Sequence, residues 1–145
     1  MRQGDDWLAD YLPYLLFRVS NRLDLKLREA LRKLKISIWL WRVLAVLRAY
    51  GTMTIGQIAH ATAIEQPTVS RVVAQLASKG WVERETRRHD SRYVHVTLTR
   101  EGGKALAEIL PAALRHETRA LEGISAQDKA KLKQLLETVW ANIEG

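Results

Sequence analysis

The sequence predicts a mainly α-helical chain interrupted once by a small β-hairpin. Three observations carry this expectation. Apolar residues recur three or four apart over long stretches at both ends, the period of one helix face. Two helix-length segments near the middle are separated by only Ala63, Ile64 and Glu65. Val94, Val96 and Leu98 alternate with Tyr93, His95 and Thr97, the period of a half-buried strand.

From Trp7 to Leu34 the residues Leu12, Leu16, Val19, Leu23, Leu27, Leu31 and Leu34 form one stripe on a long first helix with basic flanks. Pro13 lies near its start, where proline is best tolerated. Ser37 is the expected N-cap of a second helix, 38–50, and Gly51 fits its C-terminal stop. Thr54 caps a short third helix to Thr62. Pro67 opens a fourth that runs to Lys79 and stops at Gly80. Two short helices on so tight a turn predict a helix-turn-helix. Trp81 to Arg84 then reads as a short strand, the arginine-rich stretch as a turn, and Tyr93 to Leu98 as the returning strand of a wing. Thr99 opens a fifth helix to Leu121, in which Pro111 predicts a bend or break. Ser125, with Asp128 three residues later, opens a sixth whose Leu132, Leu135, Leu136, Val139, Trp140 and Ile143 share a face.

Composition narrows function. A chain of 145 residues with 47% hydrophobic residues can bury one real core. Its formal charge of +7 favours a polyanion, nucleic acid before anionic membrane. It contains no cysteine, which excludes disulfides, thiol redox sensing and cysteine-based metal sites. His60, His89, His95 and His116 share no metal-ligand spacing, and no phosphate loop, paired-carboxylate arrangement or nucleophile elbow is present. Neither a metal, a cofactor nor an enzymatic activity is expected. The N-terminus MRQGDDWLADYLP lacks the apolar core of a signal peptide. The longest apolar run, ISIWLWRVLAVL, is short for a membrane span and holds Arg42. The simplest location is the cytoplasm.

The first and last helices carry more apolar surface than the small middle unit can cover. They could pack on each other within one chain. The stronger expectation is a homodimer in which Leu12, Leu16, Val19 and Leu23 and the face Leu136, Val139, Trp140 and Ile143 bury against a second copy.

On the fourth helix Val69, Val72, Val73 and Leu76 fall on one side at 100° per residue and must face the core. The other arc shows Pro67, Ser70, Arg71, Ala74 and Ser78, flanked by Thr68 and Gln75, with Gln66 at the start. Such small or hydrogen-bonding residues can approach base edges closely, Arg pairing with guanine and Gln with adenine. An ordinary solvated face usually carries more charge. In the wing, Asp90 sits two residues before Arg92 and can brace it for a narrow minor groove. Arg87 and Arg88 suit phosphates.

The order of elements, with Trp41-Arg42-Val43-Leu44, Ile58-Ala59, Thr68-Val69-Ser70-Arg71, Lys79-Gly80-Trp81-Val82 and Asp90-Ser91-Arg92 leading to Val96-Thr97-Leu98-Thr99, resembles the MarR family of winged helix-turn-helix regulators over nearly the whole chain. Trp39 and Gln66 depart from the family's pattern. The resemblance implies a single domain over 1–145, with dimerisation helices in 1–36 and 100–145 and a DNA-binding lobe in 37–99. It implies a homodimer on a palindromic operator, the fourth helix in the major groove, the wing in the minor groove, and a repressor released by a small aromatic or anionic effector. Around the effector's cleft it places the helices that carry Arg18, Trp39, Trp41 and Arg42; the alternative is that both tryptophans are core residues and the arginines solvated. Two other classes stay open: a winged-helix module used for protein contacts, and an anionic-membrane-surface module built on the basic first helix.

Overall fold

The computed structural model describes residues 6–87 and 89–145, without the side chains of Asp90 and Ser91. Its helices are α1 (Trp7–Asp10), α2 (Leu12–Arg32), α3 (Ile38–Tyr50), α4 (Ile55–Thr62), α5 (Gln66–Ser78), α6 (Arg100–Ala120) and α7 (Ala126–Glu144). The strands β1 (Met53–Thr54), β2 (Val82–Arg87) and β3 (Asp90–Leu98) make one antiparallel sheet in the order β1-β3-β2.

Four expectations need correction. The N-terminal helix is not continuous: Tyr11 adopts φ −78°, ψ 101° and separates α1 from α2. Pro13 has no N–H, and its ring would collide with the Ala9 carbonyl were the helix unbroken. Next, α5 begins at Gln66, one residue before Pro67, with Glu65 as N-cap. Proline fits equally at this second position, where an N–H has no helical acceptor anyway. Third, the hairpin strands extend past the apolar alternation, so Arg87 and Arg92 lie in strands. Residues 83–87 are exposed throughout, and backbone pairing beyond the core needs no alternation to sustain it. Last, the helix is not broken at Pro111: α6 is continuous from Arg100 to Ala120. Ile109 and Ala112 are buried on either side of the proline, and that packing offsets the lost backbone bond.

The remaining boundaries follow local chemistry. Ser37 Oγ accepts the Leu40 N–H at 3.2 Å, and Gly51 ends α3 at φ 80°. Thr54 and Gln57 form a reciprocal capping box, each side chain accepting the other's backbone N–H at 3.1 and 2.9 Å. Between α4 and α5, Ala63 takes the left-handed conformation at φ 55°, a costly state for a residue with a Cβ. The turn it makes drives Ile64 into the core, which compensates. Strand β1, two residues long, aligns Met53 with Val96 and is too short to show a period.

One hydrophobic core joins all layers. Leu31 of α2, Leu44 of α3, Ile58 of α4, Val69 and Leu76 of α5, Val96 of β3 and Ile109 of α6 pack in a single cluster. Burial fades toward the ends of the chain. On α2 only Leu27 and Leu31 are buried, and on α7 nothing is.

Candidate nucleic-acid interface

Helix α5 is built in two halves. Val69, Val72, Val73 and Leu76 are buried against the core. The outer arc exposes Gln66, Pro67, Ser70, Arg71, Ala74, Gln75 and Ser78, with Thr68 half-buried. Arg71 is the one charged side chain of this helix, and its Nη2 donates to Thr68 Oγ1 at 3.2 Å. Gln66 folds back toward α4: a Cβ added at Gly56 would lie 3.5 Å from its Nε2. Thr62 Oγ1 donates to the Ile58 carbonyl at 2.7 Å, closing the end of α4 just before the turn.

In the wing, Arg87 stands exposed opposite Asp90 across the hairpin, where the register is irregular. Arg92 is exposed on β3, its guanidinium carbon 5.5 Å from the Tyr93 ring centroid. The expectations for Arg88 and for the Asp90 carboxylate lie outside the described residues. At the base of the wing, Lys79 Nζ sits 5.0 Å from the Trp81 ring centroid.

The arms carry the uncovered apolar surface. Among the described residues, every exposed large apolar or aromatic side chain except Tyr50, Tyr93 and Val94 belongs to residues 6–36 or 100–145. Leu12, Val19, Leu136, Trp140 and Ile143 are exposed, while Leu16, Leu23 and Val139 are half-buried. Trp140 is partly engaged within its own chain, edge-on to His60 of α4 at 6.2 Å, and Glu144 lies 3.4 Å from the His60 Nε2.

The four residues expected around an effector are not all brought together. Arg42 reaches across to α2 and donates to Asp24 Oδ1 at 2.6 Å, and its guanidinium carbon lies 5.6 Å from the Trp39 ring centroid. Arg28 approaches the same ring at 5.3 Å. Trp41, two residues on, projects about 200° round the helix from Trp39 and packs on the core. Arg18 lies six residues before Asp24, about 9 Å along α2, stacked on Tyr14 at 5.7 Å and lining a groove of ≈ 1240 Å³ between α2 and α6. Asp24 and Arg28, which complete the Trp39 cluster, went unrecognised in the sequence. A pairing between residues 18 apart on separate helices leaves no local trace, whereas the Thr68 and Arg71 bond could have been read from its spacing of three.

No helix is long and apolar enough to cross a membrane, and no group of three His, Asp or Glu that could hold a metal occurs among the described residues.

Residues 36–92 match the sequence pattern of the MarR family. The chain is 24% identical over 142 residues to the HTH-type transcriptional repressor IacR of Pseudomonas putida, covering 97% of this chain and 85% of that one. It is similar to the crystal structure of a MarR family transcriptional regulator from Silicibacter pomeroyi, with a TM-score of 0.86 and 32% identity over 96% of this chain and 93% of the other. It is also similar to a variant of MarR from E. coli complexed with operator DNA, with a TM-score of 0.76 and 27% identity over 88% and 92% of the two chains.

Proposed function

The chain belongs to the MarR family, and from that premise we propose that it is a sequence-specific double-stranded DNA-binding transcriptional repressor, acting as a homodimer on a palindromic operator. The observation that carries this reading is the outer face of α5. A helix exposed along a whole face, yet bearing a single charge amid small and amide side chains, suits close approach to base edges better than life in solvent. The arginines of the adjoining wing supply the phosphate and minor-groove attraction that the helix lacks.

In this reading residues 37–99 form the lobe that meets DNA, and residues 1–36 and 100–145 hold the dimer. The exposed leucines and aromatics of the arms support the second assignment, since a patch of that extent calls for a partner. Two-fold pairing presents two copies of α5 to successive major grooves, about one helical turn apart. Occupancy of a promoter by such a dimer is itself repressive, by exclusion. The effector is assigned to the seam between α2 and α3. There an aromatic carboxylate would compete with Asp24 for Arg42 and stack on Trp39, while Arg18 and Trp41 stand apart from the site.

Selection of bound duplexes from a random pool tests the whole reading. A palindrome with half-sites about one turn apart is expected, with affinity falling steeply as salt rises. Recovery of unrelated duplexes would refute base reading and leave a basic interaction module. Retention on anionic vesicles at the same salt, without duplex selection, would favour the membrane-surface alternative.

A further inference from the structure

We propose that Thr68 sets specificity indirectly, as a positioning residue that aims the guanidinium of Arg71. The proposal rests on the reading of α5 as the base-reading helix, and it adds how that helix's one arginine is oriented before DNA arrives. The two residues are three apart, hence neighbours on one helix face. The Arg71 Nη2 donates to Thr68 Oγ1 at 3.2 Å. The acceptor is the stiffer partner: Thr68 is β-branched and half-buried, which restricts its χ1, whereas Arg71 is exposed and long. One of the guanidinium's five N–H groups is engaged by threonine. Four remain, enough for a forked contact with the O6 and N7 of guanine. An arginine oriented before binding loses less rotamer freedom on docking.

The competing role for Thr68 is direct contact, its methyl against a thymine methyl. Two substitutions separate the roles. Thr68→Val keeps a branched, isosteric side chain with a methyl but loses the hydroxyl, and Thr68→Ser does the reverse. Each is made in the full-length protein, alone and with Arg71→Ala, and titrated on the selected duplex and on its single-base variants. Thr68→Ala, which also lacks the hydroxyl, serves if the valine variant does not fold.

Thr68→Val is expected to lower discrimination about fivefold, the scale of one exposed hydrogen bond. The affected base pair should be the one relaxed by Arg71→Ala, and non-specific affinity should stay within about twofold. Beside Arg71→Ala the valine should add nothing, and Thr68→Ser should keep the parent's preference. Retained discrimination in both hydroxyl-free variants overturns the proposal. So does a loss of equal size without Arg71, or a loss for Thr68→Ser at a different base pair. A parent protein that selects no sequence overturns instead the reading of α5 on which the proposal rests.

Discussion

Two adjacent glycines at the start of α6 should respond to alanine in opposite directions. A Cβ built on Gly102 would stand 2.0 Å from the Trp81 carbonyl oxygen and 2.7 Å from Leu98 Cδ1. Ordinary carbon to oxygen contacts begin near ~3.3 Å, so helix and strand must part by more than an ångström. They are not free to do so. Thr99 Oγ1 donates to the Gly80 carbonyl at 2.6 Å, the Thr99 N–H donates to the Trp81 carbonyl at 3.0 Å, and the Gly102 N–H returns to Thr99 Oγ1 at 3.0 Å. Overpacking costs about 1 to 3 kcal/mol, and loosening one or two of these bonds adds about 1 kcal/mol each. The helix propensity of alanine returns about 1 kcal/mol at most. Gly102→Ala should therefore destabilise by roughly 1 to 4 kcal/mol, a sizeable part of a typical domain's margin. Gly103 has nothing within 4 Å of its added Cβ, and Gly103→Ala should stabilise by about 0.5 to 1 kcal/mol. Urea unfolding at one fixed protein concentration compares them, since a dimer's apparent stability depends on concentration. The midpoint of Gly102→Ala should fall by about 0.5 M or more. Equal midpoints for the two variants, or a Gly102→Ala midpoint above the parent's, would refute the steric argument.

Three further outcomes are expected. Leu12→Glu and Leu136→Glu alter side chains that are 53% and 43% exposed in the single chain, so each should yield folded protein sedimenting as a monomer, and a parent that is itself a soluble monomer would exclude the dimer. Arg92→Ala should weaken operator binding and reduce the salt slope by about 1 per subunit, whereas Asp90→Ala should weaken specific binding modestly despite making the chain more basic; tighter operator binding by Asp90→Ala would end the bracing idea. Calorimetry with a panel of aromatic carboxylates should find a ligand whose heat disappears in Arg42→Ala and Trp39→Ala but persists in Arg18→Ala, and equal loss in Arg18→Ala would move the site into the groove between α2 and α6.

What the sequence disclosed and what it hid divide along the range of the interactions involved. Ser37, Gly51 and Thr54 mark helix ends through hydrogen bonds or φ values that involve residues within one turn, and these were legible. The inner face of α5 was legible because helical period alone orders its four buried residues. The pairing of Arg42 with Asp24 depends on how two helices cross, and no window of a few helical turns contains both. Gly102 and Gly103 are identical letters until Trp81 is laid against one of them. The wing misled for a different reason: its strands outrun the core, and apolar alternation reports burial rather than backbone pairing. In the arms the pattern of apolar residues was plain, but a periodicity does not say whose surface will cover it.

Leu27 and Leu31 of α2, with Leu106 and Ile109 of α6, are buried in the same core as Leu44 and Leu76. These stretches of α2 and α6 are thus packed directly onto the helices around α5, with no slack tether between. A two-fold pair made this way is a calliper whose jaws are set at a fixed gap. Inserting one base pair between half-sites rotates one of them by about 35° around the duplex. Lobes on loose cords could swing to follow more readily than lobes packed on the helices that pair them. For the proposed dimer, spacer length is therefore where the operator should tolerate little change, even though no side chain reads the spacer bases.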